Sequence, residues 1–96
     1  MNTALSINGV PIRLSNERWV HIVESHDDLA GRYFDILEAI SQPNYVIEGT
    51  EGAQIALSSE PDRKFLVVVY CETSQSDGFV VTAYRTSKIG KYWRSL

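Results

Sequence analysis

The stretch FLVVVYCE, residues 65–72, decides the fold class of this sequence. Its apolar and aromatic residues follow one another with no polar interruption up to Tyr70, which is typical of a central strand buried on both faces. The dipeptide Asp77-Gly78 then predicts a tight hairpin turn. Three shorter segments with a strand-like pattern flank this centre: NYVIEG (44–49), AQIALS (53–58) and FVVTAY (79–84). Together these segments predict a meander of about four strands in antiparallel order.

The segment before Pro43 has a helical period instead. Ser15 and Asn16 are good N-caps, and the apolar positions after them recur three and four residues apart. The two apolar stripes, separated by Gly31, consist of Trp19, Ile22, Val23 and His26, and of Tyr33, Ile36, Leu37 and Ile40. Pro43 ends the second helix because proline disfavours a helical conformation in the residue before it. The predicted fold is therefore α+β, with N-terminal helices packed on a four-stranded antiparallel β-sheet.

Length and composition predict a single domain over residues 1–96 that lies in the cytoplasm and contacts no membrane. Hydrophobic residues make up 44% of the chain, enough for a packed core. The single cysteine, Cys71, can form no internal disulfide. No run of about 18 apolar residues predicts a transmembrane helix, and the first ten residues lack the features of a signal peptide. The dipeptide Asn8-Gly9 is compatible with a small hairpin within residues 1–14.

The net charge of −3 conceals two regions of opposite sign. Residues 85–96, RTSKIGKYWRSL, contain four basic residues and no acid, so their charge is +4. Residues 1–84 hold five basic and twelve acidic residues, a sum of −7. A basic tail on an acidic body suits the binding of a polyanion at one face. From charge alone, the better supported interpretation is a solvated tail that pairs with the body's own acids.

The two histidines, His21 and His26, are five residues apart on the first predicted helix. At about 100° per residue, His26 falls on the apolar stripe and His21 lies about 140° away from it. His26 is therefore expected at the edge of the sheet or under it, either as a core residue or as a reactive group. His21 is expected at the flank of the helix or on its surface. Because side chains five apart do not share a helix face, no metal site is predicted.

A second group of candidate residues lies in VVTAYRTSK, residues 80–88. Strand alternation places Thr82 and Tyr84 on the same face of the sheet. Arg85 follows at the end of the strand, where a guanidinium beside hydroxyl groups can hold a phosphate with two parallel hydrogen bonds. The same pattern is also typical of an ordinary strand with a tyrosine at its rim.

Four motifs in a fixed order give the sequence a family resemblance: RWVHIVESHDDL (18–29), Pro43 before the strands, FLVVVY (65–70) and GFVVTAYRTSK (78–88). In this combination the chain resembles the phage-associated members of the barnase–EndoU–colicin–RelE superfamily of small nucleases, over roughly residues 18–91. The resemblance implies helices packed on a four-stranded antiparallel sheet. It also implies RNA cleavage without a metal or another cofactor, often by a toxin that a partner antitoxin opposes.

The resemblance also implies which residues form the site. The family's histidine and strand-end motifs fall on His21, His26, Thr82, Tyr84, Arg85 and Thr86. The chain departs from the family at Asp27-Asp28, where members often have Pro-Glu, and in being more acidic than most ribonucleases. RNA affinity then has to come from a local patch, the last twelve residues. Lys88, Lys91 and Arg94 supply positive charge to this patch. Tyr92 and Trp93 supply rings that stack on bases.

The implied reaction is a transesterification. A base takes the proton of the ribose 2′-OH, the oxygen attacks phosphorus, and an acid protonates the leaving 5′-oxygen, so that a 2′,3′-cyclic phosphate remains. Either histidine suits either role, Arg85 would hold the phosphate, and Tyr84 or Thr86 would position a phosphate oxygen. The alternative is a non-catalytic binding or regulatory module on the same scaffold, because a fold does not fix a function. The sequence leaves the oligomeric state open.

Overall fold

The computed structural model describes residues 2–90, and its secondary structure begins with strands. In chain order the elements are β1 (Asn2–Leu5), β2 (Pro11–Leu14), α1 (Asn16–Ser25), a short 3₁₀ helix (Asp27–Leu29), α2 (Tyr33–Ser41), β3 (Tyr45–Glu48), β4 (Ala53–Ser59), β5 (Phe65–Glu72) and β6 (Gly78–Thr86). Helix α1 begins after Ser15, whose hydroxyl accepts a hydrogen bond from the backbone N–H of Arg18 at 3.1 Å. Within residues 2–90 no helix has the length and apolar character needed to cross a lipid bilayer.

The six strands form one mixed sheet in the order β1-β2-β6-β5-β4-β3. Strands β3 to β6 pair antiparallel in chain order, and β1 pairs antiparallel with β2. Strand β2, however, runs parallel to β6, with Ile12 opposite Gly78 and Arg13 opposite Phe79. The prediction of a four-stranded antiparallel sheet with N-terminal helices is therefore wrong. The sheet has two more strands and one parallel pair, and two strands precede the helices.

The additional strands join the sheet because β6 has a free edge. A meander of β3 to β6 leaves the backbone groups on one side of β6 without strand partners, and a sheet edge of this kind readily accepts another strand. In β2 the side chains of Ile12 and Leu14 are fully buried, so pairing with β6 also removes apolar surface from water. The parallel direction is possible because a long connection, which includes both helices, separates the two strands.

Two apolar clusters lie on the two faces of the sheet. The larger one packs the helices against the sheet and includes Ile22, Ile36, Ile40, Leu66 and Val68. The smaller one is built on Ile47, Leu57 and Val67. Neighbouring residues of β5 belong to different clusters, and Leu66, Val67 and Val68 are each no more than 2% exposed. This strand is therefore buried on both faces, as its apolar sequence predicts.

A bulge in β6 decides which of its side chains face the helices. The register with β5 shifts so that Val69 lies opposite Thr82 whereas Tyr70 lies opposite Val80, which leaves Val81 without a partner. As a result Val80 and Ala83 both belong to the cluster under the helices. Beyond the bulge, Tyr84 packs against the smaller cluster on the opposite face.

Candidate active site

His26 lies against Tyr84, where the end of α1 meets the end of β6. Helix α1 follows β2 directly in the chain and packs against β6. His26 caps this helix, and its backbone N–H donates to the carbonyl oxygen of Ile22 at 2.8 Å. Its partly buried ring lies 5.8 Å from the ring of Tyr84, measured between centroids, with the two planes inclined by 36°. Helix packing thus brings the second histidine to the strand-end motif.

Arg85, the next residue of β6, is held by carboxylates from two loops. Its side chain is only 17% exposed. The Nε atom donates to Oε1 of Glu60 at 2.6 Å, and Nη2 donates to Asp62. The Nη1 atom lies 4.0 Å from Oδ2 of Asp28, which belongs to the short 3₁₀ helix after His26. Asp28 therefore connects the histidine segment to the arginine.

Glu60 is shared by two arginines, so Arg85 belongs to a larger group of charges. Arg32 donates to both carboxylate oxygens of Glu60, at 3.0 Å to Oε1, and its Nε donates to Asp35 at 2.8 Å. We call these six residues the arginine–carboxylate network: Asp28, Arg32, Asp35, Glu60, Asp62 and Arg85. Two guanidinium groups face four carboxylates, so the network carries a net negative charge.

Hydrogen bonds keep the central carboxylates of the network ionised. The hydrogen bonds from Arg32 lower the pKa of Glu60; burial acts in the opposite direction, and Arg85 adds a smaller lowering effect. A hydrogen bond from Arg85 lowers the pKa of Asp62. The same bonds to Asp62 and Glu60 raise the pKa of Arg85. Glu60, Asp62 and Arg85 therefore stay charged at neutral pH.

The sequence prediction omits Arg32, Glu60 and Asp62. The segment EPDRK, residues 60–64, predicts only a turn. In an antiparallel meander, however, the turn between β4 and β5 lies at the same end of the sheet as the carboxyl end of β6. The acids of this turn are therefore neighbours of Arg85, and the predicted meander already contained the information needed to find them.

The structure describes some, but not all, of the other predicted site residues. His21 is exposed on α1, about 7.5 Å along the helix axis before His26. Thr82 lies opposite Val69 and Thr86 opposite Phe65 in the register with β5. The hydroxyl of Thr86 accepts a hydrogen bond from the backbone N–H of Lys88 at 3.0 Å. The predicted RNA contacts Lys91, Tyr92, Trp93 and Arg94 lie outside the described residues.

This arrangement places an imidazole and a guanidinium at the same end of β6. An imidazole can accept or donate a proton near neutral pH, and a guanidinium matches the geometry of a phosphate. The Nε and Nη2 atoms of Arg85 already donate to carboxylates, however, and the surrounding carboxylates repel an anion. A phosphate that binds Arg85 therefore competes with these carboxylates, of which Asp62 and Asp28 are both 50% exposed.

The chemistry of this site is identified neither by a group of metal-binding side chains nor by similarity to a known protein. Among residues 2–90, no group of three or more His, Cys, Asp or Glu side chains is placed to hold a metal ion. Comparison of the chain with protein-family models, with curated proteins and with solved structures finds no match. A function must therefore be argued from the geometry of the site itself.

Proposed function

We propose that the chain is a small endoribonuclease that cleaves RNA by transesterification, without a metal, and leaves a 2′,3′-cyclic phosphate. The observation that supports this proposal is the contact of His26 with Tyr84, which precedes Arg85 in β6. Residues from distant parts of the sequence thus meet at one end of β6, with the groups that this reaction needs. In the same proposal the protein acts in the cytoplasm as the toxin of a toxin–antitoxin pair.

Each residue of this group has a defined role in the proposed reaction. His26 moves a proton, either from the 2′-OH to itself or from itself to the 5′-oxygen, and such transfer contributes about 10²–10⁴-fold to the rate. Arg85 holds the phosphate and stabilises the charge that develops on its oxygens. Tyr84 orients His26 through the ring contact. His21, exposed on the same helix, is the candidate for the second proton transfer.

The experiment that tests this proposal is cleavage of RNA in the presence of EDTA. Purified protein is incubated with total RNA, and the fragments are analysed for ends that carry a cyclic phosphate. We expect cleavage by the wild type and a loss of about 10²–10⁴-fold in the His26→Ala variant. Circular dichroism of the variant separates loss of a reactive group from loss of folding. A folded and fully active His26→Ala variant would exclude this histidine from the mechanism.

A matched substitution at the other histidine completes the test. His21→Ala removes the same ring from an exposed position of the same helix. A loss of similar size in this variant would make His21 the second proton-transfer group. Full activity of His21→Ala would assign that role to another residue and leave the proposal for His26 intact.

The basic segment at residues 85–96 is proposed to contribute to RNA affinity. Replacement of Lys88, Lys91 and Arg94 together by Ala should weaken RNA binding, because fewer counterions are then released. The slope of affinity against salt concentration should decrease by about 0.7 for each lost contact with single-stranded RNA. An unchanged slope would contradict this contribution of the segment.

A non-catalytic binding module is the second candidate function, and the observation that favours it is the occupied state of Arg85. A guanidinium bound by Glu60 and Asp62 stabilises a fold whether or not it ever meets a phosphate. Specific RNA binding by the wild type without cyclic-phosphate products would support this candidate. Cleavage that depends on His26 would exclude it.

A further inference from the structure

A pocket of about 280 Å³ opens where the start of α1 meets the start of β6. We call it the Arg18 pocket, and it is lined by Arg13, Ser15, Arg18, Phe79 and Val80. The parallel pairing of β2 with β6 builds it, because this pairing places Arg13 opposite Phe79 before the chain turns into α1. The pocket thus depends on the N-terminal strands that precede the helices.

Two guanidinium groups give the Arg18 pocket a net positive charge on an otherwise acidic chain. Asp77 fixes Arg13, whose Nε donates at 2.8 Å and whose Nη2 donates at 3.1 Å to the two carboxylate oxygens. Arg18 is exposed and forms no ion pair with another residue of the described part of the chain. Asp77 therefore balances the charge of Arg13, whereas no ion pair within residues 2–90 balances the charge of Arg18, and an anion that enters the pocket is attracted.

The pocket also offers an aromatic surface. Phe79 is 37% exposed, although it lies in a strand that is paired on both sides at this position. An aromatic ring next to arginines is the combination with which proteins bind single-stranded nucleic acid, since bases stack on the ring while the cations contact phosphates. The volume of the pocket is just below the usual range for small-molecule sites, which begins at about 300 Å³, so it suits a single nucleotide.

We propose that the Arg18 pocket binds a nucleotide of single-stranded RNA at a distance from the bond that is cleaved. This inference rests on the proposed function and adds a second point of contact for the same substrate. Arg18 contacts the phosphate, and Phe79 stacks on the base. Arg13, which Asp77 holds in place, adds positive charge beside the phosphate. Phe79 and Tyr84 are five residues apart in β6, a separation of about 16 Å. A strand of a few nucleotides that follows β6 therefore reaches both sites.

The test measures binding of a 2′-O-methylated octanucleotide, which lacks the free 2′-OH needed for cleavage. Arg18→Gln should weaken binding about five- to tenfold and lower the salt slope by about 0.7, because one phosphate contact is lost. Phe79→Leu, which keeps apolar bulk but removes the ring, should weaken binding without a change in salt slope. Arg63→Gln, which removes the same charge from an exposed position in the turn before β5, is the control and should bind with nearly wild-type affinity.

Substrate length separates this inference from the proposed function. Cleavage of a dinucleotide, which is too short to reach the pocket, should be equal in wild type and Arg18→Gln, whereas cleavage of an octanucleotide should be slower in the variant. If the wild type binds the octanucleotide and both pocket variants bind it equally well, the inference is wrong while the proposed function stands. If the pocket variants weaken binding but no RNA is cleaved, the inference stands and the proposed function fails.

Discussion

Strand β6 has an arginine site at each of its ends, and the two sites differ in how their charge is balanced. At its start, Asp77 pairs with Arg13, and Arg18 is exposed. At its end, the side chain of Arg85 is only 17% exposed and is bound by Glu60 and Asp62. A guanidinium that loses water must gain carboxylate partners, whereas an exposed one keeps its water and stays available. The difference in burial thus leaves Arg18 accessible to a ligand and fixes Arg85 between carboxylates.

The largest expected effect is the difference between arginine-to-lysine substitutions at the two ends of β6. Arg85→Lys should reduce RNA cleavage by about 10²-fold, because lysine keeps the charge but lacks the planar fork that contacts two partners. Arg18→Lys should change cleavage by no more than a few-fold, because an exposed contact with a phosphate needs mainly the positive charge. The rate constants of both variants, measured on one octanucleotide, provide the comparison. Equal effects at both positions would show that the two ends do not differ in the way proposed.

The second prediction concerns the stability of the sheet at the start of β6. A Cβ atom at Gly78 would lie 2.5 Å from the backbone oxygen of Cys71 and 2.5 Å from Cδ1 of Ile12. The oxygen belongs to the paired strand and cannot move away without disturbing the register. Gly78→Ala should therefore destabilise the fold by about 1–3 kcal/mol, as overpacking usually does. Denaturant unfolding measures this difference.

Gly90→Ala is the matched control for this substitution. Within residues 2–90, no atom other than those of its chain neighbours lies within 4 Å of a Cβ at Gly90, and its backbone is not in the left-handed region. The change should therefore stay within about 0.5 kcal/mol. A Gly78→Ala variant as stable as Gly90→Ala would mean that β2, β5 and β6 do not meet at this residue as described.

The helices and β5 could be predicted from the sequence because their evidence is local. The period of the apolar residues around Ile22 and Ile36 and the uninterrupted run at residues 65–72 each lie within one element. The place of β1 and β2 could not be predicted, because the sequence does not show which edge of a sheet a hairpin joins. The bulge at Val81 likewise depends on pairing with β5, and strand alternation alone does not anticipate it.

The proximity of His26 to the end of β6 could be anticipated from the sequence for the same reason. Tyr84 and Arg85 are neighbours in one strand, and the helical period placed His26 on the side that faces the sheet. Glu60, by contrast, lies in a turn whose residues give no local indication of a partner. The predicted meander places this turn near Arg85, but the contact of Glu60 with Arg32 follows only from the three-dimensional structure.

The third prediction is a pH dependence of stability that depends on Glu60. Arg32 and Arg85 hold its pKa below the ordinary value of 4.5, so Glu60 stabilises the fold above that pH. This contribution is lost as the pH falls through the lowered pKa. Glu60→Gln should reduce stability by about 1 kcal/mol at pH 7, and thermal unfolding should show the difference from wild type shrinking progressively below about pH 4.5. A difference that stays constant down to pH 2 would contradict the ion-pair role of Glu60.

The smallest expected effect tests whether carboxylates restrict the access of phosphate to Arg85. Asp62 and Asp35 are half-exposed acids on the two arginines of the network, Asp62 on Arg85 and Asp35 on Arg32. Asp62→Asn removes a charge that competes with RNA, and since exposed pairs are weak, affinity for the octanucleotide should rise only about two- to fivefold. Asp35→Asn removes the same charge beside the arginine that is not proposed to bind RNA, and it should leave affinity nearly unchanged. If Asp62→Asn instead weakens binding and cleavage, Asp62 positions Arg85 for the phosphate. If both variants match the wild type, Arg85 is a structural residue and phosphate binding must be assigned to the other end of β6.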